Sequence, residues 1–170
     1  MRKRSSNQSG ASMLEAALFL PVLFLLLFGM VELAKIGYTY FVIHKILYTI
    51  ARYVGAQQGV NFCDEADPTI TAAINLGLTG TVDGSADPLV SDLRAEMIQV
   101  RAEKYTPETG ELGACPCEAS GCDAAQGAVG PDYIVVSIPD GYPIQFSVPF
   151  MAQLEPIPLR PTVRLPFGGT

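Results

Sequence analysis

The sequence predicts an α+β protein: a long N-terminal membrane-spanning helix followed by a small antiparallel-sheet domain stapled by disulfides. The helix is indicated by sixteen uncharged, mostly apolar residues from Ala16 to Val31. In the remainder, helix-like segments come first and strand-like segments later, an order typical of α+β folds. All four cysteines follow the apolar run, and a domain of this modest size gains stability from cross-links.

The N-terminal segment joins a basic tip, Arg2–Arg4, to the apolar run. Extended from Met13 to Ala34, the run forms about 33 Å of helix, which is enough to cross a bilayer core. We therefore expect a leader at 1–10 and a transmembrane helix at 11–34. The alternatives are a cleaved secretory signal, disfavoured because no A-x-A site follows, and a buried soluble helix, disfavoured because Leu and Phe occur on all faces.

The charge of the chain is unevenly distributed. The formal net charge is −6, but after residue 58 five cations face fifteen carboxylates, which gives this part a charge of −10. Such a domain is a poor partner for nucleic acid. Basic residues beside an apolar run tend to stay in the cytoplasm, so we expect a cytoplasmic N-terminus and an acidic domain on the far side of the membrane. Disulfides are chemically permitted on that side.

Glu15 is an unusual residue for a simple membrane anchor. A carboxylate held at mid-membrane costs about 2.5–3.5 kcal/mol, and less near an edge. Two interpretations remain open: the side chain reaches headgroup water, or it pairs with a cation of another subunit. The natural cation is the α-amino group that cleavage between Gly10 and Ala11 would create.

Two short motifs carry a family resemblance. The basic leader, the segment G-A-S-M-L-E from Gly10 to Glu15 and the apolar helix together resemble the processing site of type IV prepilins. The later segment F-G-M-V-E-L-A-K resembles, more narrowly, the TadE-like pseudopilins of tight-adherence (Tad/Flp) pili. The residues that match this pattern are Leu20, Pro21, Phe28, Gly29, Val31, Glu32 and Lys35. The resemblance extends over about residues 9–56.

This resemblance implies a pilin-like fold and a non-enzymatic subunit that a prepilin peptidase cleaves after Gly10. The subunit would take part in assembly or initiation of a Tad pilus or related secretion system, with Glu15 setting the register between subunits. Its implied partners are the lipid bilayer, other pilin or pseudopilin subunits and the peptidase. Its implied location is the bacterial inner membrane, single-pass, with a periplasmic C-terminal domain that can enter a surface pilus. The size of that domain favours a minor subunit.

A rival hypothesis assigns the chain to a different class of protein. In this second interpretation it is a permanently membrane-anchored, extracytoplasmic binding protein of the cell envelope. Its helix would then never leave the bilayer, and its first residue would remain Met1.

The helix is predicted to continue beyond the membrane over residues 35–58. Apolar residues recur there at spacings of four and three, which is a narrow helical seam. They are Ile36, Tyr40, Ile43, Leu47, Ile50 and Val54. We expect the C-terminal domain of the same chain to cover the 43–54 part, with a neighbouring subunit as the alternative. Gly55 and Gly59 are candidate terminators, and Pro21 is expected to bend the helix without ending it.

The acidic domain, 59–170, is predicted to open with helices at 68–76 and 88–96. Each follows an Asp-Pro pair, which supplies an N-cap carboxylate and a proline suited to the first turn. Alternation and β-branched content predict four strands, at 97–105, 133–138, 144–148 and 162–165. Numerous prolines in the C-terminal third favour short strands with protected edges.

The cysteines predict two disulfides. Four cysteines allow three connectivities, and they are Cys63, Cys115, Cys117 and Cys122. A direct bond between Cys115 and Cys117 would be strained, so we expect one of these two to bond Cys122 and the other Cys63. A C-x-C-x4-C metal site is the alternative, but its spacing is not that of a zinc ribbon. No metal and no cofactor are expected.

Catalytic motifs are absent from the sequence. It contains no P-loop, G-x-S-x-G, H-E-x-x-H or dinucleotide fingerprint. The one histidine, His44, lies in the predicted long helix, so the acidic domain lacks the commonest general base. We therefore predict no enzymatic activity and no small-molecule substrate.

Overall fold

The protein combines one very long helix with a small antiparallel sheet, so the predicted α+β class is confirmed. A computed structural model describes residues 9–64, 66–117, 122, 127, 130–146 and 155–168. The chain forms two compact units, one containing the helix up to Tyr38 and the other containing Thr39–Gln145 and Glu155–Thr170. The helices are α1 (Ser9–Gly55) and α2 (Pro68–Thr79), and the strands are β1 (Gln99–Thr106), β2 (Glu111–Ala114), β3 (Tyr133–Ser137), β4 (Tyr142–Ile144), β5 (Ile157–Leu159) and β6 (Thr162–Pro166).

The strands form two antiparallel sheets. The larger has the order β2-β1-β3-β6, and β4 pairs with β5 in a second, two-stranded sheet. In the larger sheet Arg101 lies opposite Val135, which in turn lies opposite Arg164. β6 is an outer strand that follows Pro161 directly and ends at Pro166. Proline is tolerated at such an edge because its missing N–H need not join a ladder.

Helix α1 continues through Pro21 and ends at Gly55, close to the predicted end. Its last third supplies core residues of the second unit: Ile43, Leu47, Ile50 and Val54 are 0% exposed. The prediction of intrachain cover for this part is confirmed. The buried stripe is wider than the predicted seam, because Ile46 and Ala51 are buried too. A helix packed on a globular core buries such a broad face, whereas a narrow seam is typical of coiled coils.

Helix α2 begins where the sequence predicts and ends three residues later than predicted, at Thr79. Asp67 caps its first turn, and Gly80, at φ 80°, ends it by donating its N–H to the Leu76 carbonyl. Gly77 permits a close approach to α1, since a Cβ at this position would lie 2.5 Å from Cγ1 of Ile50. The pairing of the two helices therefore depends on a position without a side chain.

The helix predicted at 88–96 is wrong; only a short 3₁₀ turn, Ala95–Met97, forms there. The Leu89 N–H donates to the Leu78 carbonyl at the end of α2, which ties this segment back as a loop. Asp92 has a φ of 62°, a left-handed conformation that a right-handed helix excludes. An Asp-Pro pair provides a cap, but it does not supply the core-facing stripe that stabilises a short helix.

The predicted strands agree with β1, β3 and β6 to within two residues. The strand predicted at 144–148 is displaced: β4 covers Tyr142–Ile144, 145–146 are not strand, and 147–148 lie outside the described residues. The Tyr142 hydroxyl donates to the Ser91 carbonyl over 2.7 Å. Burial, together with the charge of Asp92, raises the pKa of this tyrosine.

Asp67 is a buried N-cap of α2, and its removal is expected to lower the stability of the fold. Its Oδ1 accepts from the N–H of Thr69 (2.8 Å) and Ile70 (3.3 Å), and its Oδ2 from the N–H of Asn61 (3.0 Å). Burial alone would raise the pKa of Asp67, but these hydrogen bonds outweigh it and hold the pKa below its ordinary value of 3.8. The ionised form is thus favoured in the folded chain.

We expect Asp67→Ala to lower the free energy of unfolding by about 1–2 kcal/mol at pH 7, measured by urea denaturation. Because the folded pKa is depressed, the stabilisation is present above pH 3.8 and is lost as the pH falls through the lower folded value. The difference between the variant and the native chain should therefore shrink below pH 3.8. Asp83→Ala, at an exposed carboxylate that accepts from Ser85 but caps no helix, is the matched control; an equal loss there would contradict the capping argument.

Candidate functional site

The candidate functional surface of this chain is the N-terminal part of α1. Every large apolar side chain from Met13 to Val31 is exposed, between 48% (Phe24) and 76% (Met13). Within the described residues, α1 is the one helix long and apolar enough to cross a membrane. Exposed apolar surface on this scale requires lipid or other apolar helices around it.

The predicted processing residues lie at the start of this helix. Gly10 and Ala11 belong to its first turn, and a Cβ at Gly10 would meet nothing within 4 Å. Glu15 is five residues after Gly10, about 7.5 Å further along the axis, and its side chain is exposed. The basic residues Arg2–Arg4 lie outside the described residues.

The second motif brings a carboxylate and an amine together on one face of α1. Glu32 is 6% exposed, although its neighbours Val31 and Leu33 are 65% and 70% exposed. The Nζ of Lys35 lies 4.0 Å from the Glu32 Oε2, one turn away. An opposite charge at this distance lowers the cost of keeping a carboxylate out of water.

The other motif residues lie on open parts of the helix. Phe28 is 55% exposed and stacks against Phe24 with ring centroids 6.4 Å apart. A Cβ at Gly29 would meet nothing within 4 Å. These residues are available to lipid or to a neighbouring helix.

Aromatic side chains follow the motif along α1. Tyr38, Tyr40, Phe41 and Tyr48 are 44–71% exposed. Tyrosine is enriched where membrane meets water, because its ring is apolar and its hydroxyl is polar. The exposed apolar surface thus changes from aliphatic and Phe-rich to Tyr-rich before the buried stripe ends.

The four cysteines lie in the second unit and form two disulfides, Cys63–Cys117 and Cys115–Cys122. The Cα atoms of the pairs are 5.6 Å and 5.7 Å apart. The first bond links the segment after α1 to the segment after β2. Because all four sulfurs are used, the alternative C-x-C-x4-C metal site is not formed.

The structure distributes the predicted residues over two regions. Gly10, Ala11, Glu15 and the Phe-Gly-x-Val-Glu residues share one helix, whereas the cysteines lie in the sheet-bearing unit. The burial of Glu32 was not predicted, since the sequence signal was only its place in a motif. Its one physical hint is Lys35 at the i+3 position, a spacing that pairs charges on a helix.

Comparison with known proteins gives one match. The family model described as TadE-like protein matches residues 10–52. No curated protein matches the chain, and no solved structure does. The matched segment begins at Gly10 and contains Glu15, the Phe-Gly-x-Val-Glu motif and all of the buried stripe except Val54. The resemblance of this chain to the TadE-like proteins is thereby confirmed over residues 10–52.

Proposed function

We propose that the chain is a non-enzymatic minor pilin or pseudopilin subunit that assembles into, or initiates, a Tad-type pilus or a related secretion system. The TadE-like match associates the chain with Tad pili. The observation that carries the finer proposal is the exposed apolar surface of α1 from Met13 to Val31. Such a helix can pass from lipid to a filament core without changing the polarity of its surroundings.

The proposed life cycle begins in the inner membrane. The basic leader remains cytoplasmic and the acidic domain is periplasmic, in line with the positive-inside rule. A prepilin peptidase then cleaves the Gly10–Ala11 bond. The chain is therefore the substrate of an enzyme in this scheme.

Cleavage would create the cation that Glu15 lacks within its own segment. An α-amino group has an ordinary pKa of about 7.7–8.0, so the new Ala11 terminus is mostly protonated at neutral pH. A carboxylate that pairs with such an amine on an adjacent copy avoids the cost of an isolated charge among apolar helices. Glu15 would thus fix the axial register of each incoming subunit.

N-terminal sequencing of the membrane-extracted chain tests the first step. We expect Ala11 as the first residue of the native chain, and Met1 in a Gly10→Val variant. Met1 on the native chain would contradict the proposal and favour the permanently anchored binding protein.

The variant Glu15→Ala, with Glu15→Asp as its conservative control, tests whether Glu15 pairs with the Ala11 amine of an adjacent copy. The alanine variant should still begin at Ala11 but should be lost at least tenfold from sheared surface fractions, since the lost pairing exceeds about 1.4 kcal/mol. If the alanine variant begins at Ala11 and its recovery in sheared surface fractions is undiminished, the cleavage proposal stands and the pairing proposal is wrong.

A further inference from the structure

The exposed face of α1 within the second unit carries a basic-aromatic stripe. We use this name for Phe41, Lys45, Tyr48 and Arg52, which recur at spacings of four, three and four and therefore lie on one side of the helix. Phe41 and Tyr48 are 67% and 44% exposed, and both cations are exposed. No described residue forms an ion pair with Lys45 or Arg52. The stripe thus presents two rings and two positive charges to its surroundings.

The stripe lies in a part of the sequence that contains no negative charge. From Leu33 to Cys63 there is neither an aspartate nor a glutamate. After residue 58, by contrast, the chain carries five cations and fifteen carboxylates. The two signs of charge are therefore separated within the second unit, with positive charge along the exposed face of α1 and negative charge over the rest.

A second surface of the same unit has the opposite charge. It is the loop after α2, residues 80–92, which we call the acidic loop. Its exposed carboxylates are Asp83, Asp87 and Asp92. Beside them Val82 and Leu89 are 49% and 62% exposed. The loop contains no cation, and the charge of Arg94, the next one in the sequence, is balanced by Glu96 at 3.6 Å. The acidic loop thus combines three negative charges with two exposed apolar side chains.

The acidic loop is tied to α2 by hydrogen bonds. The Leu89 N–H donates to the Leu78 carbonyl over 2.8 Å, and the Asn75 side-chain amide donates to the Val82 carbonyl over 3.4 Å. A loop that is already held in place loses less conformational freedom when it binds. Its carboxylates and apolar side chains are therefore presented together.

Two other occupants of the stripe are disfavoured by charge and by distance. Copies anchored in one membrane share their orientation, so a contact between two stripes would be parallel and would place Lys45 beside Lys45 and Arg52 beside Arg52. Lipid headgroups lie too close to the bilayer core. Lys45 follows Ala34, the predicted end of the transmembrane segment, by 11 residues, or about 16 Å of helix, whereas the headgroups add only about 5–8 Å on each side.

We propose that the basic-aromatic stripe binds the acidic loop of a second copy of this chain. Lys45 and Arg52 would pair with the carboxylates of the loop, while the two rings of the stripe would cover Val82 and Leu89. Each copy has one stripe and one loop, so the contact is heterologous and can repeat from copy to copy, as a filament requires. The inference rests on the proposed function for the shared orientation of the copies, but not on cleavage after Gly10.

Sedimentation velocity of the full, uncleaved chain in detergent micelles tests this contact. We expect the mean mass of the native chain to rise with protein concentration. Reversing the stripe with Lys45→Glu and Arg52→Glu should raise the apparent Kd at least tenfold. The matched control, Arg101→Glu with Arg160→Glu, makes the same change of net charge at exposed residues outside both surfaces. Its apparent Kd should stay within about twofold of the native value.

A loop-reversed variant, Asp83→Lys with Asp87→Lys, applies the same test from the other side. Alone it should associate as weakly as the stripe-reversed variant, because its stripe and its loop are then both basic. Mixed in equal amounts, the two variants should associate as the native chain does, since the intact loop of one meets the intact stripe of the other. Two variants that had merely lost their fold would not restore each other.

Replacing Tyr48 by the photoreactive p-benzoylphenylalanine locates the surface that the stripe contacts. The micelles contain phosphatidylglycerol and an equal mixture of isotope-labelled and unlabelled chains, so that mass spectrometry separates contacts between copies from contacts within one copy. We expect cross-links from position 48 of one copy to residues 80–92 of the other.

Any of four results would overturn the proposal: a native mass that does not depend on concentration, equal association of the stripe-reversed variant and its control, a mixture no better associated than its components, or cross-links that fall on α1 of the other copy or on the lipid. None of these results bears on cleavage, which N-terminal sequencing tests separately. Conversely, an uncleaved Met1 in the cell would contradict the proposed function and leave this contact between copies standing.

Discussion

Replacing both Cys63 and Cys117 by serine is expected to lower the free energy of unfolding of the second unit by about 4 kcal/mol. This disulfide joins residues 54 apart in sequence, so its loss frees a long loop in the unfolded chain. The loss can be measured by urea denaturation of the full chain in micelles, followed by tyrosine fluorescence. For a domain of ordinary stability, this is a large part of the total.

The second disulfide provides an internal control. Cys115 and Cys122 are only 7 residues apart, and the same loop-closure relation gives about 2.5 kcal/mol for their replacement by serine. The order of the two losses is the critical result. If opening the short loop costs more than opening the long one, chain entropy is not the main contribution of these bonds.

Gly77→Val is expected to lower the free energy of unfolding by about 3 kcal/mol. The first carbon of any side chain at this position would lie 2.5 Å from Cγ1 and 2.8 Å from Cδ1 of Ile50. Ile50 is 0% exposed, so its side chain cannot relieve the clash by moving into solvent without losing its burial. The better helix propensity of valine offsets only a few tenths of a kcal/mol. Urea denaturation of the full chain measures the change.

Two further variants identify the cause of that loss. Gly37→Ala, at a helical glycine where a Cβ meets nothing within 4 Å, should cost nothing. The double variant Gly77→Val with Ile50→Ala should be more stable than the sum of its single changes predicts, because the smaller residue at 50 makes room. Additive losses would mean that the close approach of α1 and α2 is not responsible.

Elements with a strong local signal could be predicted from the sequence. The apolar run and its continuation predicted α1 to within three residues of its end, and Asp67-Pro68 predicted the start of α2. β1, β3 and β6 followed from β-branched and alternating residues. In these segments the local preference and the tertiary environment favour the same conformation.

Other elements could not be predicted because tertiary contacts decide them. β2 contains Glu-Leu-Gly-Ala, which has little strand preference, and forms because the turn after Thr106 lays it against β1. β5 contains Pro158 and is defined only by its pairing with β4. The Asp87-Pro88 pair predicted a helix that the contact between Leu89 and Leu78 prevents.

The candidate site divides in the same way. Gly10, Glu15 and the Phe-Gly-x-Val-Glu residues could be singled out as candidates because they are motifs along one helix. The burial of Glu32 could not, since the motif marks its position but not its packing. Nor does any local pattern mark Gly77 as a contact point, because its partner Ile50 is 27 residues earlier in the sequence.

The prolines that bracket β6 bear on the behaviour of the protein in a crowded membrane. Pro166 deprives the outer margin of this strand of an amide hydrogen at its C-terminal end, and Pro161 directly precedes the strand. A strand so interrupted is a poor template for endless cross-β stacking, the usual hazard of exposed sheet margins. Amyloid-like stacking of copies through the C-terminal end of this margin is therefore disfavoured.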